Sequence, residues 1–318
     1  MRRHRAPYLI IGAVVLAFFA RVAPAQAQVT PPPLRGLYTP GMMATNSGVL
    51  PEPGVSYEAL FQLYSFDELT GPQGQTLPTN GNASVLVDQN LFTYVTKTTL
   101  LGGHYAVAGI PPVTNNSLTS ARFGALAGGA GFADSFYQPL LLGWHLNRAD
   151  IQSGYAFFAP TGRFTAGATD NVGSGYWGNF LTSGETVYLT SNKGTAVSAF
   201  EGYEFHTNQK TTNLHPGQTF DVDYSVTQSV PLMDQDKHTV LQVGLVGYGQ
   251  YQTTVNTGPG VDPVIAANTK YRVNALGPAA NLILLDRKFA VGFKYFKEFA
   301  NSSTVEGHSL QISGAITF

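Results

Sequence analysis

From residue 54 to the last residue, side chains change character at every second position, and this alternation limits the fold more than any other feature. In FDVDYSVTQSVPL, residues 220–232, Phe220, Val222, Tyr224, Val226, Val230 and Leu232 share one face, while Asp221, Asp223, Ser225, Thr227 and Ser229 share the other. In KFAVGFKYFKEF, Phe289, Val291, Phe293 and Tyr295 oppose Ala290, Gly292, Lys294, Phe296 and Glu298. The chain stops on SLQISGAITF, where Leu310, Ile312, Ile316 and Phe318 are in phase and Ser309, Gln311, Ser313, Ala315 and Thr317 lie between them. Successive side chains of a strand point to opposite faces, so each segment reads as a strand with one apolar and one polar or small face.

Two architectures satisfy that pattern. A sandwich buries the apolar faces between two sheets; a membrane barrel turns them to lipid. The connections separate the two. Twelve strands are expected, at 54–66, 84–97, 100–111, 135–146, 149–159, 177–190, 196–206, 218–232, 239–252, 270–284, 288–299 and 304–318. Tight links at 98–99, 147–148, 191–195, 233–238 and 285–287 alternate with long ones at 67–83, 112–134, 160–176, 207–217 and 253–269; the remaining link, 300–303, is short. Short turns at one end and long loops at the other are the mark of an outer-membrane barrel. The expected fold is therefore all-β, a 12-stranded antiparallel transmembrane β-barrel over 54–318, with both ends in the periplasm. Tyr57, Tyr203, Phe205, Tyr224, Tyr251, Tyr271, Phe289 and Phe299 are candidates for the aromatic girdles. Gly277-Pro278 marks a candidate bulge and change of register.

Composition agrees. Glycine accounts for 35 of 318 residues, Tyr and Phe together for 36, and only 12% of residues are charged. There is no cysteine, hence no disulfide and no thiolate metal site. After residue 27 no apolar run approaches the ~20 residues of a membrane helix. MRRHRAPYLIIGAVVLAFFARVAPAQA, with its arginines, short apolar core and Ala25-Gln26-Ala27, reads as a signal peptide cut after Ala27. Its removal takes away Arg2, Arg3, Arg5 and Arg21 and leaves 14 basic against 19 acidic residues, a net charge near −5. No basic patch suggests nucleic acid as a partner. The expected partners are outer-membrane lipid, the barrel assembly machinery and a small hydrophobic solute. A terminal Phe318 on the lipid-facing stripe fits the signal that the assembly machinery reads. The expected location is the bacterial outer membrane, after export through the periplasm.

GLYTPGMM followed by LPEPGVSYEALFQLYSF, the unit GFADSFYQPLLLGWHL with GYAFFAPTGRF, and the closing LGPAANLIL and FAVGFKYFKEF resemble the "meta-pathway of phenol degradation" family of outer-membrane proteins, over most of residues 36–318. The resemblance implies a barrel associated with uptake of aromatic or other hydrophobic compounds. It carries over no binding residues.

Residues 28–53 hold Pro31, Pro32, Pro33 and Pro40 and cannot form a central strand. They are either a periplasmic extension or a segment folded into the barrel, plugging it. A 12-strand barrel lies between side-chain-filled and open barrels, so its lumen has room for a narrow pore or one small ligand. The lumen-lining candidates are Tyr64, Tyr137, Phe158, Phe200, Asp221, Asp223, Gln242, Tyr248, Gln250, Lys294, Phe296, Glu298 and Gln311. Asp221 and Asp223 read either as a carboxylate pair or as wall residues paired with cations.

Other classes have less support. A lipid hydrolase needs Ser, His and an orienting Asn or Asp together at the rim. His308 and Ser309 are adjacent and face opposite ways, and no G-x-S-x-G elbow occurs. Glu204 and His206 share a face, but two ligands make no metal site. No catalytic residue, metal or cofactor is expected. A structural or adhesive surface protein is the alternative to a passive channel for small hydrophobic or aromatic compounds.

Overall fold

The computed structural model describes residues 35–78, 81–120, 124–233 and 236–318. The 1–27 signal peptide and residues 28–34 lie outside the described residues. Fifteen strands are described: β1 (Gly54–Thr70), β2 (Thr76–Leu77), β3 (Gly81–Leu100), β4 (Gly103–Ile110), β5 (Pro112–Ser120), β6 (Gly124–Phe132), β7 (Ser135–His145), β8 (Ala149–Ala159), β9 (Gly178–Tyr188), β10 (Thr195–His206), β11 (Thr219–Met233), β12 (Asp236–Gln252), β13 (Arg272–Leu284), β14 (Phe289–Glu298) and β15 (Val305–Thr317). Neighbours pair antiparallel, and β1 bonds to both β3 and β15. That closes a barrel of twelve wall strands: β1, β3, β4 and β7 to β15.

The wall is inside out relative to a soluble protein. Leu245 is 59% exposed, Val226 54% and Phe92 50%, whereas Gln250, Glu298 and Gln311 are fully buried. Large apolar groups tolerate such exposure when the surrounding solvent is hydrocarbon, and a closed sheet leaves no unpaired edge in that solvent. The final strand follows the same rule. Ile312 sits opposite Phe61 on β1 and Phe293 on β14, all on the outer face. The Phe318 amide donates to the Val55 carbonyl at 2.9 Å, which fastens the chain end beside the start of β1.

Three local expectations are corrected. Residues 112–134, read as a loop, form the β5–β6 hairpin. β3 is 20 residues long; its inner half pairs with β4 (Phe92 opposite Gly109) and its outer half with β5 (Gln89 opposite Pro112). β4 and β5 are thus one wall strand interrupted at Pro111. The Gly- and Ala-rich run of β6 has too few large side chains to show alternation. At Gly277-Pro278 the β13–β14 ladder skips a step, because proline has no N–H to give. It resumes in unchanged register, from Leu276 opposite Lys297 to Ala279 opposite Lys294. Tyr271 faces inward, 4% exposed, with its hydroxyl bonded to Thr219, and is no girdle residue.

Candidate functional site: an inner segment and the cavity beside it

Residues 35–53 have neither helix nor strand, so their amides and carbonyls need other partners. Side chains on the inner wall supply them. Glu204 accepts the amides of Leu37 and Tyr38, both at 2.8 Å. Asp223 accepts the amides of Gly41 (2.8 Å) and Met43 (3.0 Å) and the hydroxyl of Tyr38 (2.6 Å). The Lys294 ammonium donates to the carbonyls of Gly41 and Met42, each at 2.7 Å, and Gln311 donates to that of Pro40 at 2.9 Å. Gly41 makes the turn possible: its φ is +82°, and a Cβ there would lie 2.6 Å from the Phe296 ring.

The segment is anchored at both ends. At the outer end the Arg35 guanidinium meets Glu298 at 2.8 and 3.2 Å and also donates to Thr304 and the Val305 carbonyl. Tyr64 and Tyr248 donate to the same Glu298 carboxylate. This is a fully bonded buried ion pair, the form in which buried charge is tolerable. At the inner end Asn46 exchanges bonds with Gln242, Gln152 donates to the Ser47 carbonyl, and the Gly48 amide donates to Thr186. The wall leaves room by having no side chain at Gly184, where a Cβ would come within 2.2 Å of the Ser47 oxygen. The Tyr38 hydroxyl donates to Asp223 and accepts the Met43 amide at 3.1 Å, so it links the carboxylate to the segment a second time. His206 donates through Nδ1 to the Gly217 carbonyl and meets Glu204 through Nε2 at 2.7 Å, which orients the carboxylate that holds the segment.

The segment leans on β10 to β15 and leaves a cavity of about 620 Å³ against the opposite wall. The outer end of the cavity is bordered by Asn116, Asp134 and residues 171–174, the inner end by Ser56, Leu141, Ile316 and Thr317. Its middle is aromatic. Ring centroids run from Phe136 to Phe158 (5.1 Å), Phe158 to Phe180 (5.7 Å), Phe180 to Tyr38 (5.5 Å) and Tyr38 to Phe200 (5.2 Å). Over the outer mouth, Asp134 fastens both ends of the 160–177 connection, accepting the amides of Gly162 (3.0 Å) and Ser174 (2.7 Å).

Among the thirteen sequence candidates, Phe158 and Phe200 border the cavity. Tyr64, Asp223, Gln242, Tyr248, Lys294, Phe296, Glu298 and Gln311 face the inner segment or the network that anchors it. Asp221 and Gln250 are buried together, the Gln250 amide donating to Asp221 at 2.8 Å. Tyr137 is corrected: it is 45% exposed on the outer face, its ring 5.4 Å from that of Phe157. A bulge between Tyr137 and Leu140 shifts the phase of β7, so Phe136 and Gln138 point inward before it and Leu141 after it. Alternation did not single out Arg35, Tyr38, Gln89, Phe136, Gln138 or Phe180; the first two stand in a segment with no periodicity at all.

The family described as "Putative MetA-pathway of phenol degradation" matches residues 66–313. The chain belongs to this family. No curated protein matches it in sequence. Among solved structures, the family member is similar to the COG4313 outer membrane channel from Pseudomonas putida F1, with a TM-score of 0.68 at 14% identity over 86% of this chain and 98% of that one. It is also similar to the β domain of the Bordetella autotransporter BrkA, with a TM-score of 0.50 at 8% identity over 84% and 100%. At such identities the likeness is one of fold. With the apolar outer wall, it places the family member in the bacterial outer membrane.

Proposed function

We propose that this barrel is a passive channel for small hydrophobic or aromatic compounds, and that the cavity beside the inner segment is its conduit. One observation carries the reading: a continuous cavity, aromatic in its middle, is bordered by residues from both ends of the barrel. Apolar walls with a few placed polar groups suit small, partly apolar ligands. The family's association with phenol degradation and the channel named among the similar structures support it. In this reading residues 35–53 narrow the lumen, residues 1–27 direct export, and the β15 stripe ending in Phe318 is read by the assembly machinery. The reading assigns no catalytic step to any residue.

Liposomes carrying the purified barrel test it, against protein-free liposomes. A trihydroxybenzene is expected to enter several-fold faster than arabinose, a sugar of similar size. Equal rates would refute the aromatic preference. No entry of either would favour a structural role, for which the β5–β6 hairpin, paired beyond the twelve wall strands, is the supporting feature.

A further inference from the structure

Among the described residues, the polar contacts of the segment from Arg35 to Met43 with wall strands run mainly to Glu204, Asp223, Lys294, Glu298 and Gln311, all away from the cavity. One bond runs the other way. Gln89 Nε2 on β3 donates to Thr39 Oγ1, and both residues border the cavity. The bond therefore crosses the empty side of the lumen from wall to segment. Along β3, Val85 and Val87 border the cavity outward of Gln89, while Leu91 and Thr93 border it inward. A solute travelling from Asp134 towards Ile316 passes the level of this bond. Gln89 also stands opposite Pro112, beside the Pro111 interruption of the wall strand.

The surroundings make this bond unlike the others that hold the segment. Glu204, Asp223 and Glu298 are carboxylates with several donors each, the strong kind of hydrogen bond. Gln89 and Thr39 share one neutral bond, in a cavity lining that also holds Met42, Leu91, Ile110 and Phe136. A neutral bond contributes little net stability and opens easily, yet while closed it fixes the separation of segment and wall. Resting on the conduit reading above, we propose that Gln89 and Thr39 form a bolt that sets the width of the passage, admitting single-ring solutes and holding back fused-ring ones.

Two variants separate the bolt from its bulk. Gln89→Ala removes the bond and the side chain; Thr39→Val removes the bond and keeps the volume, and lies off the wall, so closure of the barrel does not depend on it. The readout is the entry rate of a dihydroxynaphthalene relative to a dihydroxybenzene in proteoliposomes, with arabinose as the measure of a lost segment. The ratio is expected to rise about fivefold in both variants, the worth of one neutral hydrogen bond, with arabinose entry unchanged. An unchanged ratio in a barrel that passes the dihydroxybenzene overturns the bolt alone, and so does a parallel rise in arabinose. A wild-type barrel that passes no dihydroxybenzene overturns the conduit reading, and the bolt with it.

Discussion

The two halves of the barrel interior differ in what their side chains bond to. On the side of β10 to β15, the buried side chains of Glu204, Asp223, Lys294 and Gln311 bond to the backbone of residues 37–43. On the side of β3 to β9, Ile110, Phe136, Phe158 and Phe180 border the cavity, with neutral polar side chains such as Gln89, Gln138 and Thr182 between them. The difference shows that charge in a lumen need not mark a path for ions. Here it substitutes for the secondary structure that the inner segment lacks. A wall whose aromatic middle needs no backbone partner is what leaves room for a passage.

The largest expected effect comes from breaking the polar half. Asp223→Ala removes the acceptor of the Gly41 amide and of the Tyr38 hydroxyl, leaves the Met43 amide only the Tyr38 oxygen at 3.1 Å, and strips Lys294 of a nearby counter-charge. Removing one partner of a buried charged network costs about 3–5 kcal/mol. Amide hydrogen exchange at Gly41 and Met43 should accelerate by about 10²-fold or more while strand amides keep their protection. If those two amides exchange at the wild-type rate, the polar half is not what holds the segment.

Steric eviction is the next largest and leaves the charges alone. In Gly184→Val the new Cβ would meet the Ser47 carbonyl oxygen, a backbone atom with no flexible side chain to yield. The inner end of the segment must lift, and arabinose entry should rise about tenfold, as expected for a lumen approaching the open-barrel regime. Heat-modifiable migration on gels checks that the barrel itself is closed. A folded variant with unchanged arabinose entry would mean that the segment is not the barrier.

A smaller change is expected from the apolar half. Phe180→Ala shortens the ring row between Phe158 and Tyr38 and opens space over Gly202. The segment's charged anchors are untouched, so exchange at Gly41 should stay at the wild-type rate. The preference for the trihydroxybenzene over arabinose should fall about threefold to fivefold, the worth of one aromatic contact. A fall in Gly41 protection instead would show that the two halves are mechanically one.

Alternation made the wall legible, because a two-residue period is a local property: Asp221, Asp223, Lys294, Glu298 and Gln311 could be put on one face from their own strands. Their partners could not be named. Gln311 bonds to Pro40, 271 residues away, and Pro40 stands in a stretch without period. The cavity was illegible for the same reason. It is what remains after the segment has chosen a side, and Gln89, Phe136 and Phe180 border it only because Glu204 and Asp223 draw the segment the other way. Within strands the errors were of phase. The bulge in β7 turned Tyr137 outward, and Tyr271, just before β13, was given to the wrong face. Short polar or glycine-rich runs such as GALAGGAGF lack the bulky residues that carry a period, so β6 went unread.

The smallest expected effect tests that phase directly. Tyr137 and Gln138 are consecutive, yet one is 45% exposed on the outer wall and the other lies against the cavity, donating to Thr182 at 3.2 Å. Tyr137→Leu keeps an apolar group towards lipid and gives up little beyond the ring contact with Phe157, about 0.5–1.5 kcal/mol. Its entry rates should match those of wild type for every solute. Gln138→Leu exchanges a polar cavity residue for an apolar one of similar size and should change the ratio of trihydroxybenzene to arabinose about twofold or more, since Thr182 loses its donor. The contrast is stringent because a one-residue slip of β7 would swap the two results, and with them the assignment of Phe136 to the aromatic row.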